Sequence, residues 1–310
     1  MSEHQAIGSA SAEPVVSSVD DKIAAVIVSY HPDLDNLKTL IQELNRQHVP
    51  SVLVDNGSLS PAVVDELKQI ATVIRLDDNV GIAKAQNIGI EQASASYQAE
   101  LLVFFDQDSH VEATFISGLL NDYHLVAATN KVAAIGPIFT DSRYGFYYPL
   151  IKVNKWGWRT KIKPQFQQHP FEVSMIISSG SLIPAAVLKD VGVMNETLFI
   201  DYVDTEWCLR AVGKGYKIFA ATSAKMSHAI GDRAIKVLAW HVPMHSAFRR
   251  YYRLRNGIYL LRMPHVPLLV KMRENLFNTL HQILLIVTQP NKKTHLTTWY
   301  RALKDGISLK

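Results

Sequence analysis

The chain has 310 residues, 48% hydrophobic and 19% charged, enough to bury one large core or two modest ones and unlike a disordered protein. Its single cysteine, Cys208, excludes an intramolecular disulfide and a cysteine-rich metal site, which suits a reducing compartment. The net charge of +4 hides an asymmetry: residues 236–310 hold 13 Lys or Arg against two acids, Glu274 and Asp305, while residues 1–235 hold 19 against 26. A basic C-terminal region points to an anionic partner, a membrane surface or nucleic acid, or is simply a solvated helical face.

Residues 1–21 lack the basic and apolar segments of a secretory signal and read as a flexible polar tail. Ile23 to Val28 is a short apolar run expected to form a buried strand. Leu37, Leu40, Ile41 and Leu44 then recur at helical spacing. Ser51 to Val54 is a second strand ending at Asp55-Asn56-Gly57-Ser58, and Ser60-Pro61 opens a helix marked by Val64, Leu67 and Ile70. Ala71 to Leu76 predicts a third strand, Gly81 to Ala93 a third helix, and Leu101 to Phe105 a fourth strand bounded by Asp106. Four alternations of strand and helix predict right-handed crossovers in a largely parallel sheet. Ligands of such sheets sit beyond the carboxyl ends of the strands, so Asp55 and Asp106 are expected to meet in one cleft.

The pattern is mixed beyond residue 130. Val132 to Thr140 and Val173 to Ser178 read as strands, Leu182 to Asp190 and Thr205 to Gly213 as helices, and the chain after about 236 as helical to its end. Leu269, Met272, Leu276, Leu280, Ile283 and Val287 share one face of a helix over 266–288. Lys271, Arg273, Glu274 and Asn275 interrupt that helix too much for it to span a bilayer.

Chemistry is concentrated at a few places. Asp106-Gln107-Asp108 follows an apolar strand, and a period of two sends both carboxylates to one side. Two such acids suit a hard divalent ion, Mg²⁺ or Mn²⁺, bridging them to a diphosphate; otherwise they cap a helix or are solvated. Between Asn79 and Gly89 a glycine turn opens a helix of small residues carrying Lys84, either a phosphate site or an ordinary amphipathic helix. Asp55-Asn56-Gly57-Ser58 is equally an Asx turn or a contact for a base or ribose. Gly180-Ser181 offers backbone N–H groups before the next helix. Asp201, Asp204 and Glu206 stand among aromatics in the run from Phe199 to Trp207, where Asp204 or Glu206 is a candidate general base and Asp204 otherwise a helix cap. His228 is a structural histidine or a further metal ligand. The aromatic stretch from Tyr144 to Trp158 packs locally or stacks on an acceptor sugar.

Taken in order, Ser29-Tyr30-His31-Pro32, the Asp55 turn, Asn79-x-Gly81-x-Ala83-x-Ala85-x-Asn87-x-Gly89, Asp106-Gln107-Asp108, Gly180-Ser181 and the acidic stretch before Arg210 resemble the inverting family-2 glycosyltransferases. The resemblance runs from about Ile23 to Asp232. It implies an α/β GT-A fold, Rossmann-like and mainly parallel, with a GT-A catalytic domain over 22–235 and a basic helical region over 236–310. The wording around Phe104-Phe105-Asp106-Gln107-Asp108-Ser109 and Phe199 to Trp207 is most similar to bacterial O-antigen rhamnosyltransferases. These use dTDP-L-rhamnose in lipopolysaccharide biosynthesis.

By that resemblance Asp55 contacts the pyrimidine base, and Asn56, Lys84, Asn87, Gly180 and Ser181 also line the nucleotide-sugar site. Asp106 holds ribose or metal, Asp108 holds the metal, and His228 adds a ligand. Alignment on Arg210 makes Asp204 the catalytic base, although Tyr202 stands where the family motif has Glu, which leaves Asp201 as the competitor. The implied reaction is metal-dependent (Mg²⁺ or Mn²⁺) transfer of a sugar with inversion to a saccharide acceptor, lipid-linked in many relatives. That gives a cytoplasmic enzyme, peripheral on the inner face of the membrane, whose C-terminal helices meet an anionic membrane surface or a second subunit. Nucleic acid is not an expected partner. A galactofuranosyl or other sugar transferase of the same fold, a nucleotidyltransferase, and a non-catalytic nucleotide- or nucleic-acid-binding protein are the alternatives. The nucleotidyltransferase reading lacks its N-terminal glycine-rich loop, and a binding protein has no need of the Asp201–Glu206 cluster.

Overall fold

A computed structural model describes residues 21–141, 145–228, 233–237, 240–244 and 246–309, with side chains left out over 228–245. The expected tail therefore lies outside the described residues except for Asp21.

Elements follow the chain as β1 (Ile23–Ser29), α1 (Leu34–Arg46), β2 (Ser51–Asp55), α2 (Pro61–Leu67), β3 (Thr72–Arg75), α3 (Ile82–Tyr97), β4 (Leu101–Asp106) and α4 (Phe115–Ala127). Through β4 this half matches the alternation expected from sequence; α4 was not anticipated. Asp33 caps α1 by accepting from the N–H groups of Asp35 and Asn36, and Leu37, Leu40, Ile41 and Leu44 are the buried face. Pro61 starts α2, where its missing N–H costs nothing.

The second half comprises β5 (Val132–Asp141), β6 (Leu150–Val153), β7 (Arg159–Ile162), β8 (Phe171–Val173), β9 (Leu182–Pro184), α5 (Ala185–Val191), α6 (Val203–Gly213) and β10 (Lys217–His228). Then come β11 (Arg233–Val237), β12 (Trp240–Met244), α7 (Ala247–Leu260), α8 (Leu268–Thr288) and α9 (Lys292–Ser308). Three expectations need correction here. Residues 182–184 pair with β4 and β5 before α5 begins, so the expected helix starts as a strand. Pairing of the segment near 173 ends at Val173. After 236 the backbone first forms the β11–β12 hairpin, whose first strand contains the expected boundary at 235/236.

Eight strands form one sheet in the order β3-β2-β1-β4-β9-β5-β10-β8. The first four are parallel, β5 and β10 are parallel, and β9 and β8 run antiparallel to their neighbours. Alternate residues feed two cores. Val26, Val52, Val54, Leu102 and Phe104 face α3, α5 and α6, while Ile27, Leu53, Val103 and Phe105 face α1 and α4. Burying each such side chain contributes roughly 1.5–3 kcal/mol. Leu260, Met263, Val266 and Val270 join the α6 side, so the C-terminal helices continue the core of the sheet.

Register positions the site. Ser29 pairs with Asp55 and Val28 with Asp106, so both acids end strands that flank β1 on the same edge. Two interstrand steps place them about 10 Å apart.

Candidate active site

The loops at the carboxyl edge of the sheet are tied to one another. Tyr30 donates its N–H to Gln107 Oε1 at 2.6 Å, and His31 donates to Ser58 Oγ at 2.9 Å. Asn56 Oδ1 accepts from the N–H of Val80 at 2.8 Å. Gln107, the residue between the two acids, thus has the job of holding the β1 loop. Asp55 is fully buried, and its carboxylate accepts from Ser58 N, Ser58 Oγ and Leu59 N at 2.6–2.9 Å. In this conformation those bonds build the turn, one of the two readings that the sequence left open beside a contact with a base. Asn56 is likewise buried and serves the neighbouring loop.

Asp106 closes β4, and Asp108 lies in the turn that follows, where Ser109 N bonds back to Asp106 O. The two acids are neighbours because of that turn, since β pleating stops at Asp106. Burial, then repulsion by Asp108 and by Asp204, pushes the Asp106 carboxyl up to about 6, against a smaller opposing pull from Arg249. Three carboxylates and one guanidinium therefore share this edge.

Asp204 arrives from the far side of the chain, in the first turn of α6. The segment before it is strained: Phe199, Asp201 and Tyr202 all have φ between 63° and 66°. Left-handed non-glycine residues cost of order 1–3 kcal/mol each and persist only where surroundings hold them. Asp204 accepts from Thr205 N at 2.7 Å and from the Ser178 N–H. Burial nonetheless raises its carboxyl above the usual range, with the nearby Asp201 charge adding to the effect and those backbone bonds opposing it. A buried carboxylate of raised basicity is suited to accept a proton near neutral pH.

The competing acids are engaged elsewhere. Glu206 is 1% exposed, gripped by Arg210 Nε at 2.9 Å and Nη2 at 3.0 Å, and 2.8 Å from His265 Nε2. Burial favours its neutral form, but hydrogen bonds from His265 and Arg210 hold its carboxyl below the ordinary glutamate range. Asp201 is ion-paired with Arg249 at 3.3 Å and Arg253 at 3.4 Å.

Several residues expected at the ligand make internal bonds. The N–H groups of Ile82 and Ala83, at the start of α3, bond to the carbonyl of Phe199 at 2.7 and 3.4 Å, and Gly81 N bonds to Asn79 Oδ1. That helix end is thus capped by protein in this conformation. Gly81 has φ +86°, and a Cβ there would stand 2.6 Å from the Phe199 ring. Lys84 remains exposed in the first turn. Asn87 engages its carboxamide with Met194 N, Met194 O and Glu196.

The N–H of Gly180 goes to Phe104 O and that of Ser181 to Ser178 O. The pair laces the 178–181 loop across β4, and that loop delivers the Ser178 N–H to Asp204. His228 ends β10 beside Asp141, and its side chain lies outside the described residues. No cluster of three or more metal-ligating side chains is found among the described residues.

What the sequence reading missed is the role of α7. Asn256 is fully buried and donates to the carbonyls of Leu198, Ile200 and Asp201 at 2.8–3.1 Å. Arg255 donates to the carbonyls of Thr197 and Leu198, and Phe199 stacks on Tyr252 at 4.5 Å. Tyr202 donates its hydroxyl proton to Glu274 Oε2 at 2.9 Å and accepts from Asn278. Three arginines of α7, Arg249, Arg253 and Arg255, are therefore spent on the strained acidic loop. The clustering of Arg249, Arg250, Arg253 and Arg255 with Asn256 was the available signal.

A mainly parallel sheet with helices on both faces, acids at its carboxyl edge and an acidic helix start opposite them defines a GT-A-like sugar-transfer fold. The family model for glycosyl transferase family 2 matches residues 25–192, and the chain belongs to that family. It is 44% identical over 291 residues to dTDP-rhamnosyl transferase RfbF of Shigella flexneri, covering 93% of this chain and 96% of that protein. Among solved structures it is similar in fold to S. aureus TarS 1–349, with TM-score 0.56, 14% identity and coverage of 92% and 80%. It is also similar to GalNAc-T7 with UDP, GalNAc and Mn²⁺, with TM-score 0.54, 13% identity, 83% of this chain covered and about half (54%) of that one. The chain is an enzyme that transfers sugars.

Proposed function

We propose that this enzyme transfers L-rhamnose from dTDP-L-rhamnose to a hydroxyl of a lipid-linked saccharide at the cytoplasmic face of the membrane, with inversion at the anomeric carbon. The donor rests on the 44% identity to a dTDP-rhamnosyl transferase over nearly the whole of both chains. The observation that supports the mechanism is that the Asp106 carboxyl, at the end of β4, feels the charges of both Asp108 and Asp204.

Asp204 accepts the proton of the acceptor hydroxyl as that oxygen bonds to the anomeric carbon and the bond to the diphosphate breaks. Its raised basicity suits this role, and the pairing of Asp201 and Glu206 with arginines leaves it the better base of the three. Asp106 and Asp108 fit a hard divalent ion, Mg²⁺ or Mn²⁺: their oxygen donors match it, and burial followed by the neighbouring Asp108 and Asp204 charges raises the Asp106 carboxyl, which a cation would offset. Such ions commonly use one or two carboxylates together with substrate phosphates, so two protein ligands suffice. When bound, the ion supplies charge stabilisation to the departing diphosphate. Ser178 and Thr205 orient the base through their N–H groups.

Thermal-shift titration with dTDP-L-rhamnose and UDP-galactofuranose, each with and without Mg²⁺ or Mn²⁺, tests the donor. The proposal expects a metal-dependent shift with dTDP-L-rhamnose that exceeds the other. A larger shift with UDP-galactofuranose would reassign the sugar.

A further inference from the structure

Helix α8 is arranged inside out. Its buried positions include the polar Asn278 and Gln282, which serve the wholly buried Arg250: Gln282 Oε1 lies 3.2 Å from Arg250 Nε, and Asn278 O 3.0 Å from Nη2. Its outward positions are apolar, with Leu268, Met272, Leu276, Leu280, Ile283 and Val287 between 43% and 66% exposed. Helix α9 repeats the pattern with Leu296, Tyr300, Leu303 and Ile307. These spacings of three and four residues give each helix one continuous exposed apolar face, which a water-soluble surface rarely carries without a partner.

The charges around these faces say which partner. Arg273 flanks the α8 face, and Lys292, Lys293 and Lys304 flank that of α9, all exposed. The two acids of the region are both turned inward. Glu274 bonds Arg159 at 2.7 Å and Tyr202, while Asp305 accepts from the Tyr251 hydroxyl. The surface of α8 and α9 therefore presents cations and apolar side chains with no competing carboxylate. A second copy of the same face would bring like charges together, whereas an anionic bilayer complements both features.

The β6–β7 hairpin extends the surface. Its tip rests on the start of α8, with Leu269 N bonded to Trp156 O at 3.3 Å and Gly157 against Leu269. Trp156 and Trp158 are 64% and 69% exposed there, which corrects their alternative reading as local core. Tryptophan favours the headgroup level of a bilayer. Among the described residues no helix is long and apolar enough to cross a membrane, so the contact is interfacial.

We infer that the outward faces of α8 and α9, with the Trp156–Trp158 hairpin tip, form a docking surface for an anionic phospholipid bilayer. This follows from the surface alone and does not depend on which sugar is transferred. The test is flotation of the full chain with phosphatidylcholine vesicles, with and without about 30% phosphatidylglycerol, at low and high salt. Wild type should float with the anionic vesicles at low salt and be released by high salt. Leu276→Asp with Leu280→Asp should weaken binding more than about tenfold. Lys292→Glu with Lys293→Glu should weaken it by at least about fivefold for each cation. Neither pair touches the acidic site, so the donor-induced thermal shift should persist and certify folding. Absence of wild-type binding, or binding indifferent to both pairs, overturns the inference. So does a concentration-dependent dimer that Leu276→Asp with Leu280→Asp converts to monomer in a chain that ignores vesicles.

Discussion

Asp106 and Asp204 are nearly a hundred residues apart in sequence, yet each carboxylate stands within the electrostatic reach of the other. One closes the fourth strand and the other lies in the first turn of α6, and the charge on Asp204 helps raise the Asp106 carboxyl to about 6. The fold brings them together at a cost, since among the described residues neither acid has a basic partner within hydrogen-bond distance. Such a cost fits the proposed roles, a cation and an acceptor proton that arrive with the substrates.

The cost is measurable in the ligand-free protein. An acid whose folded value lies above its unfolded 3.8 binds more protons when folded, so stability falls as pH rises from about 4 to 6. Asp106→Asn should therefore stabilise the apo protein at pH 7, by up to about 3 kcal/mol, with the gain vanishing near pH 4. Urea denaturation at the two pH values checks this. The same variant should lose the metal-dependent part of donor binding.

Glu206 should behave in the opposite sense. Its carboxyl is held below the ordinary 4.5, so its stabilisation is present above that value and is lost as pH falls through the folded value. Glu206→Gln breaks a buried pair with Arg210 and His265 and should cost about 3–5 kcal/mol in urea unfolding. Turnover per folded molecule should fall far less than with a change at Asp204.

Asn256 is predicted to govern the shape of the acidic loop. Asn256→Ala leaves the carbonyls of Leu198, Ile200 and Asp201 without their donor and should cost about 2–4 kcal/mol. Because the strained loop leads into α6 and Asp204, kcat should fall more than donor affinity. Asn256→Asp should not rescue, since a carboxylate facing three carbonyls repels them. Steady-state kinetics of both variants alongside their denaturation midpoints decide the matter.

The alternation of strands and helices up to Asp106 was legible in the sequence because each apolar run is short, clean and bounded by a turn signal. The Asp106-Gln107-Asp108 edge was legible for the same reason. The C-terminal half was harder. Its arginines announce charge but not destination, and Arg249 meets Asp201 only through a contact 48 residues away. The cap that Phe199 places on α3 was equally hidden, because a backbone carbonyl leaves no trace in residue type. Gly81, Asn87, Gly180 and Ser181 stood out in the sequence as candidate ligand contacts. The internal bonds by which they hold loops against one another are visible only in three dimensions.

The central claim is that Asp204 takes the acceptor proton while Asp106 and Asp108 serve the diphosphate. Single-turnover transfer by Asp204→Asn, with calorimetric binding of the metal-loaded donor on the same sample, tests it most directly. The account predicts transfer slowed by about 10²–10⁴-fold, with donor affinity within about threefold of wild type. Transfer at the wild-type rate, or a loss traced wholly to donor binding, would contradict it.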